Sequence, residues 1–193
     1  MKEIKVGFAV CGSFCTYKSV LDPLKALTND YDVYPIVSEA VASIDTRFGN
    51  ADEYIDTLEA ICGHRVISSI KESEPIGPQK LFDLLIIAPC TGNTLAKMAN
   101  GICDSTVTMA AKAQLRNSRP VLIAVSTNDG LGANALSIAE LMQRRNIYFV
   151  PFGQDGPHTK PRSLLSDMEQ IPACAYAALN GRQIQPMLLV VSN

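Results

Sequence analysis

The sequence predicts an α/β protein, a doubly wound sandwich with a central parallel sheet. Three observations carry this. Short apolar runs rich in branched residues lack alternation with polar ones, as in strands covered on both faces. Stretches with apolar residues at helical spacing lie between them. Strand and helix then alternate along the chain, which calls for right-handed crossovers.

The strands are read, in order, at Ile4–Cys11, Asp32–Ser38, Leu84–Ala88, Val121–Ser126 and Tyr148–Val150, with a closing strand at Gln183–Val191. The first helix spans Tyr17–Asn29 and carries Val20, Leu21, Leu24 and Leu27 on one stripe. Another begins near Thr94. Ser105–Asn117 is rich in alanine, and Asn134–Arg145 lines up Leu136, Ala139, Leu141 and Met142. Leu164–Leu179 is the last helix, with Pro172 expected to break or kink it. Two irregular stretches remain. Ser68–Lys80 reads as a loop insertion, and Pro151–Pro161 as a long loop of the kind that often carries function. No internal repeat interrupts the series, so residues 1–193 are expected to form one domain.

Composition narrows the function. The chain has 193 residues, 47% hydrophobic and 19% charged, with a net charge of −2. A weakly acidic chain without tryptophan argues against nucleic acid or a membrane surface as partner. No apolar run approaches the roughly 18 residues of a membrane span, and no signal segment is expected at the start. The six cysteines form no C-x-x-C pair, so free thiols in a reduced, cytoplasmic setting are expected. With only His64 and His158, no metal site is expected.

Strand ends are where such folds collect ligands. The first strand runs into Gly12-Ser13-Phe14-Cys15-Thr16. Such a turn before a helix, with two hydroxyls, suits an anion or a single phosphate, and suits plain helix capping equally well. The dinucleotide pattern G-x-G-x-x-G is absent, although Glu39 follows the second strand as an acidic ribose partner would. Ser38 is a second hydroxyl beside the turn. Ser126 closes the fourth strand, and the Asn128, Asp129, Gly130, Gly132 and Asn134 stretch after it reads as a cofactor-facing loop or as a turn with an Asn134 cap.

The third strand ends in Pro89-Cys90-Thr91-Gly92-Asn93-Thr94-Leu95-Ala96-Lys97-Met98-Ala99-Asn100-Gly101-Ile102-Cys103-Asp104. Asn93 offers both an amide donor and a carbonyl acceptor, or serves as a helix cap. The string resembles the P-x-[ST]-x-N-T-x-x-K-x-A-x-G-x-x-D signature of the flavoprotein family, which includes FMN-containing cysteine decarboxylases and flavin prenyltransferases. The resemblance covers roughly residues 4–150. It implies a three-layer α/β/α Rossmann-like sandwich with a mostly parallel six-stranded sheet. It implies FMN as cofactor, with Gly12, Ser13 and Ser38 at its phosphate and Pro89, Cys90, Thr91, Asn93, Ser126 and Asn128 along the rest of the site. It also implies a homo-oligomer, because such sites are often completed across subunit contacts.

The sequence departs from the decarboxylases at one informative place. The position of their histidine falls on Pro75, ahead of Asp83, and proline cannot move a proton. His64 reads as a surface histidine and Cys174 as helix packing. The first strand with its turn, together with Pro151–Leu164, resembles a branch of the family from spore-forming bacteria. Members of that branch act in sporulation with an A subunit that carries the NAD(P) domain. Together they oxidise a dihydrodipicolinate-type precursor to pyridine-2,6-dicarboxylate. That implies a location in the mother-cell cytoplasm and an oxidoreductase role shared with the partner. A small dianion needs cations, and Lys160 and Arg162 are candidates for its carboxylates, with Asn93 and His158 as catalytic candidates; solvated loop charges are the competing reading. The alternatives are an FMN-dependent decarboxylase, a flavin prenyltransferase, or a non-catalytic scaffold protein.

Overall fold

The computed structural model describes residues 3–189. Its strands are β1 (Lys5–Val10), β2 (Asp32–Val37), β3 (Leu84–Cys90), β4 (Val121–Thr127), β5 (Ile147–Phe149), β6 (Phe152–Gln154) and β7 (Leu164–Ser166). Its helices are α1 (Leu21–Asp30), α2 (Glu39–Ser43), α3 (Ala51–Cys62), α4 (Ile70–Ser73), α5 (Gly92–Ala99), α6 (Thr106–Arg116), α7 (Ala135–Met142) and α8 (Ile171–Leu179). Short 3-10 turns cover Phe14–Val20, Glu74–Ile76 and Met168–Gln170.

The strands form one seven-stranded sheet ordered β2-β1-β3-β4-β7-β6. β5 lies parallel to the start of β4, while β7 pairs antiparallel with its end, at Ser126 and Thr127. Every residue of β3 is buried. Its unbroken apolar run is explained by helices on both faces. On one face Val6, Phe8 and Val10 pack with Leu24 and Leu27 of α1, Leu58 of α3 and Ala175 of α8. On the other Ala9, Cys11 and Ile87 pack with Leu95 of α5, Ala110 of α6 and Leu141 of α7. Burying each large aliphatic side chain contributes about 1.5–3 kcal/mol. The expected three layers are therefore present, with a mostly parallel sheet.

Several elements differ from the sequence reading. The sheet gains a strand because Pro151–Ser166 is a hairpin, β6 and β7, around an irregular tip. Leu164 and Leu165 are strand residues, not the start of a helix. Pro172 does not break a helix, because it occupies the first turn of α8, where a missing N–H costs nothing. The stretch Ser68–Lys80 holds α4 and a 3-10 turn, with Ser73 and Ile76 buried beside α6. Residues 51–62, not read as an element, form α3. Glu53 accepts from the Asn50 backbone N–H at 3.3 Å, and Gly63 ends the helix with φ 71°. The expected strand Gln183–Val191 is reduced to a bridge from Leu188 to Phe152; residues 190 and 191 lie outside the described residues. Among the described residues, no helix is long and apolar enough to cross a membrane.

Candidate functional site

The carboxyl ends of β1, β3 and β4 open into a cavity of about 640 Å³. Its lining includes Gly12, Ser13, Thr16, Thr91, Asn93 and Ser126. The β6–β7 hairpin covers one side and contributes Asp155, Lys160 and Leu164. This is the size and the topological place expected of a small-molecule site.

The hydroxyls of Ser13, Thr16 and Ser126 form a closed ring at its base. Ser13 Oγ lies 2.8 Å from Ser126 Oγ and 3.1 Å from Thr16 Oγ1, and the last pair is 2.9 Å apart. Each hydroxyl can donate one bond and accept another, so the ring satisfies itself. The same three donors can turn together toward an anion. Ser38 completes the picture from the end of β2. Its hydroxyl oxygen is buried and has no hydrogen-bond partner. It faces an adjoining cavity of about 370 Å³ that shares Gly12, Thr91 and Asn93 with the first.

Helix capping is the competing explanation for several of these residues, and the geometry separates the two. The Ser13 and Ser38 side chains precede helical turns but make no capping hydrogen bond. At α5 the cap is Thr91, whose Oγ1 accepts from the Thr94 N–H at 3.4 Å. Asn93 is thereby released to the cavity. Asn134 precedes α7, yet its side chain makes no cap bond either. Its amide lies 3.5 Å from Thr127 Oγ1, against the backbone of Gly92. A Cβ on Gly92 would run into that amide, which is why the position takes glycine.

The remaining predicted residues divide. Asn128 lines the main cavity and is exposed to it. Pro89 and Cys90 are buried strand residues behind it, and do not line either cavity. Lys160 reaches the cavity while paired to Asp155 Oδ2 at 2.9 Å; that carboxylate raises the lysine above its ordinary range. Arg162 does not line the cavity. Its side chain is 71% exposed and approaches Asp129 at 3.8 Å, so it ties the hairpin tip to the β4–α7 loop. His158 is exposed on the same tip and is not part of the lining. Glu39 lines the adjoining cavity, but its Oε1 is engaged, accepting both the N–H and the hydroxyl of Thr106 at 2.8 Å and capping α6.

Residues not singled out from the sequence also line the site: Phe48, Thr127, Ser163 and Leu164. Phe48 sits on the loop before α3 and is still 40% exposed. Its signal is a lone aromatic in a polar stretch, Arg47-Phe48-Gly49-Asn50.

A second depression, about 740 Å³ and open, lies at the opposite end of the sheet beside Asp32 and Cys62. Near it His64 Nε2 is 2.7 Å from Asp32 Oδ1, and its ring stacks on Tyr34 at 3.9 Å. Burial pushes the Cys62 thiol up to about 12. The lining of this depression holds two hydroxyl side chains, Thr28, which donates to Lys25 O, and Tyr31, and among the described residues no asparagine or glutamine. Cys174 is buried packing in α8, with burial and then Asp167 pushing its thiol to about 11.

The Flavoprotein family model matches residues 1–153. The chain is 43% identical over 190 residues to the B subunit of dipicolinate synthase from Bacillus subtilis, covering 98% of this chain and 95% of that one. It superposes on the crystal structure of the dipicolinate synthase B subunit from Bacillus halodurans with a TM-score of 0.89, at 44% identity and 97% coverage of both. The fold is also shared with the FMN-dependent cysteine decarboxylase SpaF, at a TM-score of 0.66 and 21% identity over 93% of this chain.

Proposed function

The chain belongs to the flavoprotein family, and from that premise we propose that it works as the B component of a dipicolinate synthase. With an NAD(P)-binding A subunit it oxidises a dihydrodipicolinate-type precursor to dipicolinate during sporulation. One observation carries this reading. The likeness to a dipicolinate synthase B subunit runs over 98% of the chain, and so includes the β6–β7 hairpin that walls the cavity.

The reaction is a loss of two electrons and two protons from the ring. A hydride passes to NAD(P) on the A subunit and a proton passes to a base. This chain's part is to hold a small dianion in a polar cavity. Lys160 is the cation within reach of a carboxylate, once it exchanges Asp155 for the substrate. Asn93 and Asn128 orient the ring and its carboxylates with amide donors. Among the described residues no histidine lines the cavity, so His158 serves as base only if the hairpin tip folds inward.

The residues fit an FMN phosphate. The fit rests on the Ser13–Thr16–Ser126 hydroxyl ring of the main cavity and on the unpartnered hydroxyl of Ser38, a residue that lines the adjoining cavity. When bound, a flavin would supply a two-electron carrier. Ser13, Thr16, Ser38 and Ser126 would hold the phosphate, and Thr91 and Asn93 would border the remainder. A homo-oligomer completing the site fits the exposed Phe48 and Asn93 at its mouth.

Reconstitution of both subunits with defined precursor and NAD(P), with and without FMN, tests the proposal. Dipicolinate formation that needs both chains supports it. Full-rate synthesis by the A subunit alone makes this chain non-catalytic.

A further inference from the structure

Cys11 and Cys90 are buried, 2% and 0% exposed, and the anion-site geometry uses neither thiol. They leave β1 and β3, which are hydrogen-bonded parallel neighbours. The Cys11 N–H donates to Pro89 O at 3.2 Å, which carries Cys11 alongside Pro89 and Cys90. Both side chains enter the same apolar cluster on one face of the sheet. In the β1–β3 register Cys11 lies opposite Pro89 and Cys90 is one residue further on. A strand spacing of about 4.8 Å with a rise of about 3.3 Å per residue puts such a diagonal pair at about 6 Å, within the Cα separation of roughly 4.4–6.8 Å that a disulfide spans.

Cys11 is not sealed off. Its side chain lines the 370 Å³ cavity with Ser38, Asn93 and Lys97. Thr94 donates its hydroxyl to Cys11 Sγ at 3.3 Å. The Cys90 thiol beside it, with Thr94, holds the Cys11 thiol below its ordinary range against the pull of burial. Cys90, buried and next to that sulfur, is pushed well up. Cys11 borders the cavity and Cys90 lines neither cavity, so an entering oxidant meets the Cys11 sulfur first and Cys90 stands behind it as the resolving thiol.

We propose that Cys11 and Cys90 form a reversible dithiol–disulfide couple, oxidised by a peroxide-class oxidant that enters through the cavity beside Ser38. The Cys11 sulfur attacks one peroxide oxygen, the O–O bond breaks, and water leaves with the thiol's proton. Cys11 is then a sulfenic acid. The Cys90 sulfur attacks it, the S–O bond breaks, the S–S bond forms, and the Cys90 proton leaves in a second water. The two thiols lose two electrons together, and the peroxide gains them. Oxidation repositions the Cys11 sulfur that accepts from Thr94 of α5, beside the Thr91–Asn93 segment. The inference is independent of the dipicolinate reading, since it concerns the thiols alone.

The test uses the full-length protein, folded, with hydrogen peroxide as oxidant. After treatment the protein is denatured, free thiols are alkylated and peptides mapped by mass spectrometry, for the natural sequence and for Cys15→Ser and Cys11→Ser. Cys15 is the exposed thiol at the mouth of the main cavity and its removal excludes it as partner. The expected result is a Cys11–Cys90 linked peptide in the natural protein and in Cys15→Ser, absent in Cys11→Ser, and lost on adding dithiothreitol. The idea is overturned if Cys11 and Cys90 remain fully alkylatable while Cys15 is oxidised, or if Cys11 links to Cys15. Should Cys11→Ser fail to fold, the other two proteins still decide.

Discussion

Ser13 and Ser126 are 113 residues apart in the chain, yet their hydroxyl oxygens lie 2.8 Å apart at the floor of the cavity. The contact joins the end of β1 to the end of β4 across β3. Thr16 closes the ring. If the ring is an anion cradle, removing one donor weakens anion binding more than it weakens the fold. Ser126→Ala is expected to raise the FMN Kd about ten-fold, or ~1.4 kcal/mol, with a stability loss of about 1 kcal/mol. Flavin-fluorescence titration and urea unfolding read the two effects; an unchanged Kd would refute the cradle.

Gly92→Ala separates space from helix propensity. Alanine is the better helix former, by about 1 kcal/mol in a helix interior and by less at Gly92, the first residue of α5. Its Cβ, however, would occupy the place of the Asn134 amide. That amide can swing aside at little cost in stability, and it then leaves the cavity wall. The expected outcome is a urea midpoint close to the natural protein's together with a several-fold weaker Kd for FMN. A fall in stability with unaltered binding would show that Asn134 packs rather than binds.

Lys160 and Arg162 are two residues apart but do not share an environment. Lys160 lines the cavity and pairs with Asp155, whereas Arg162 is turned to Asp129 and solvent. In the assembled synthase, Lys160→Met should raise KM for the dicarboxylate about ten-fold or more, the loss of a charge-assisted bond. Arg162→Ala should stay within about two-fold, as for an exposed pair. Steady-state kinetics of the two variants checks this. Equal effects would mean that the hairpin rearranges on binding.

The Asp32–His64 pair gives a pH prediction at the opposite end of the sheet. Partial burial pushes the Asp32 carboxyl up, but hydrogen bonds from His64 and Tyr34 and the Lys5 charge outweigh it, leaving the group below its ordinary 3.8. A carboxyl lowered in the folded state stabilises above its unfolded value, and that gain is lost as pH falls through the folded one. Acid unfolding of Asp32→Asn should therefore depend less steeply on pH below about 4 than that of the natural protein. Identical acid profiles by circular dichroism would remove the pair from the stability account.

Much of the fold is legible in the chain, for reasons that can be named. Leu84–Ala88 and Val121–Ser126 read as buried strands because a strand covered on both faces needs no polar alternation, and β3 and β4 are covered on both. Leu164-Leu165 misleads because two leucines before a helix look like its first turn, when they pair with β4 and β6 instead. α3 escapes the reading although Asn50 and Glu53 stand at capping-box spacing. At the site, Ser13, Ser38 and Asn93 are readable as strand-end residues, but not as free of capping duty. That needs Thr91 seen in the cap of α5. The split between Lys160 and Arg162 cannot be read at all, because it depends on which way a hairpin tip turns.

The central claim is that this chain is a working half of a dipicolinate-forming synthase, and its most direct test is product formation by the A subunit while this chain is titrated in. The predicted result is a rate that climbs with added chain and saturates at a fixed ratio, with the Lys160→Met variant needing more substrate to reach it. A rate already maximal without the chain, and indifferent to adding it, would contradict the claim.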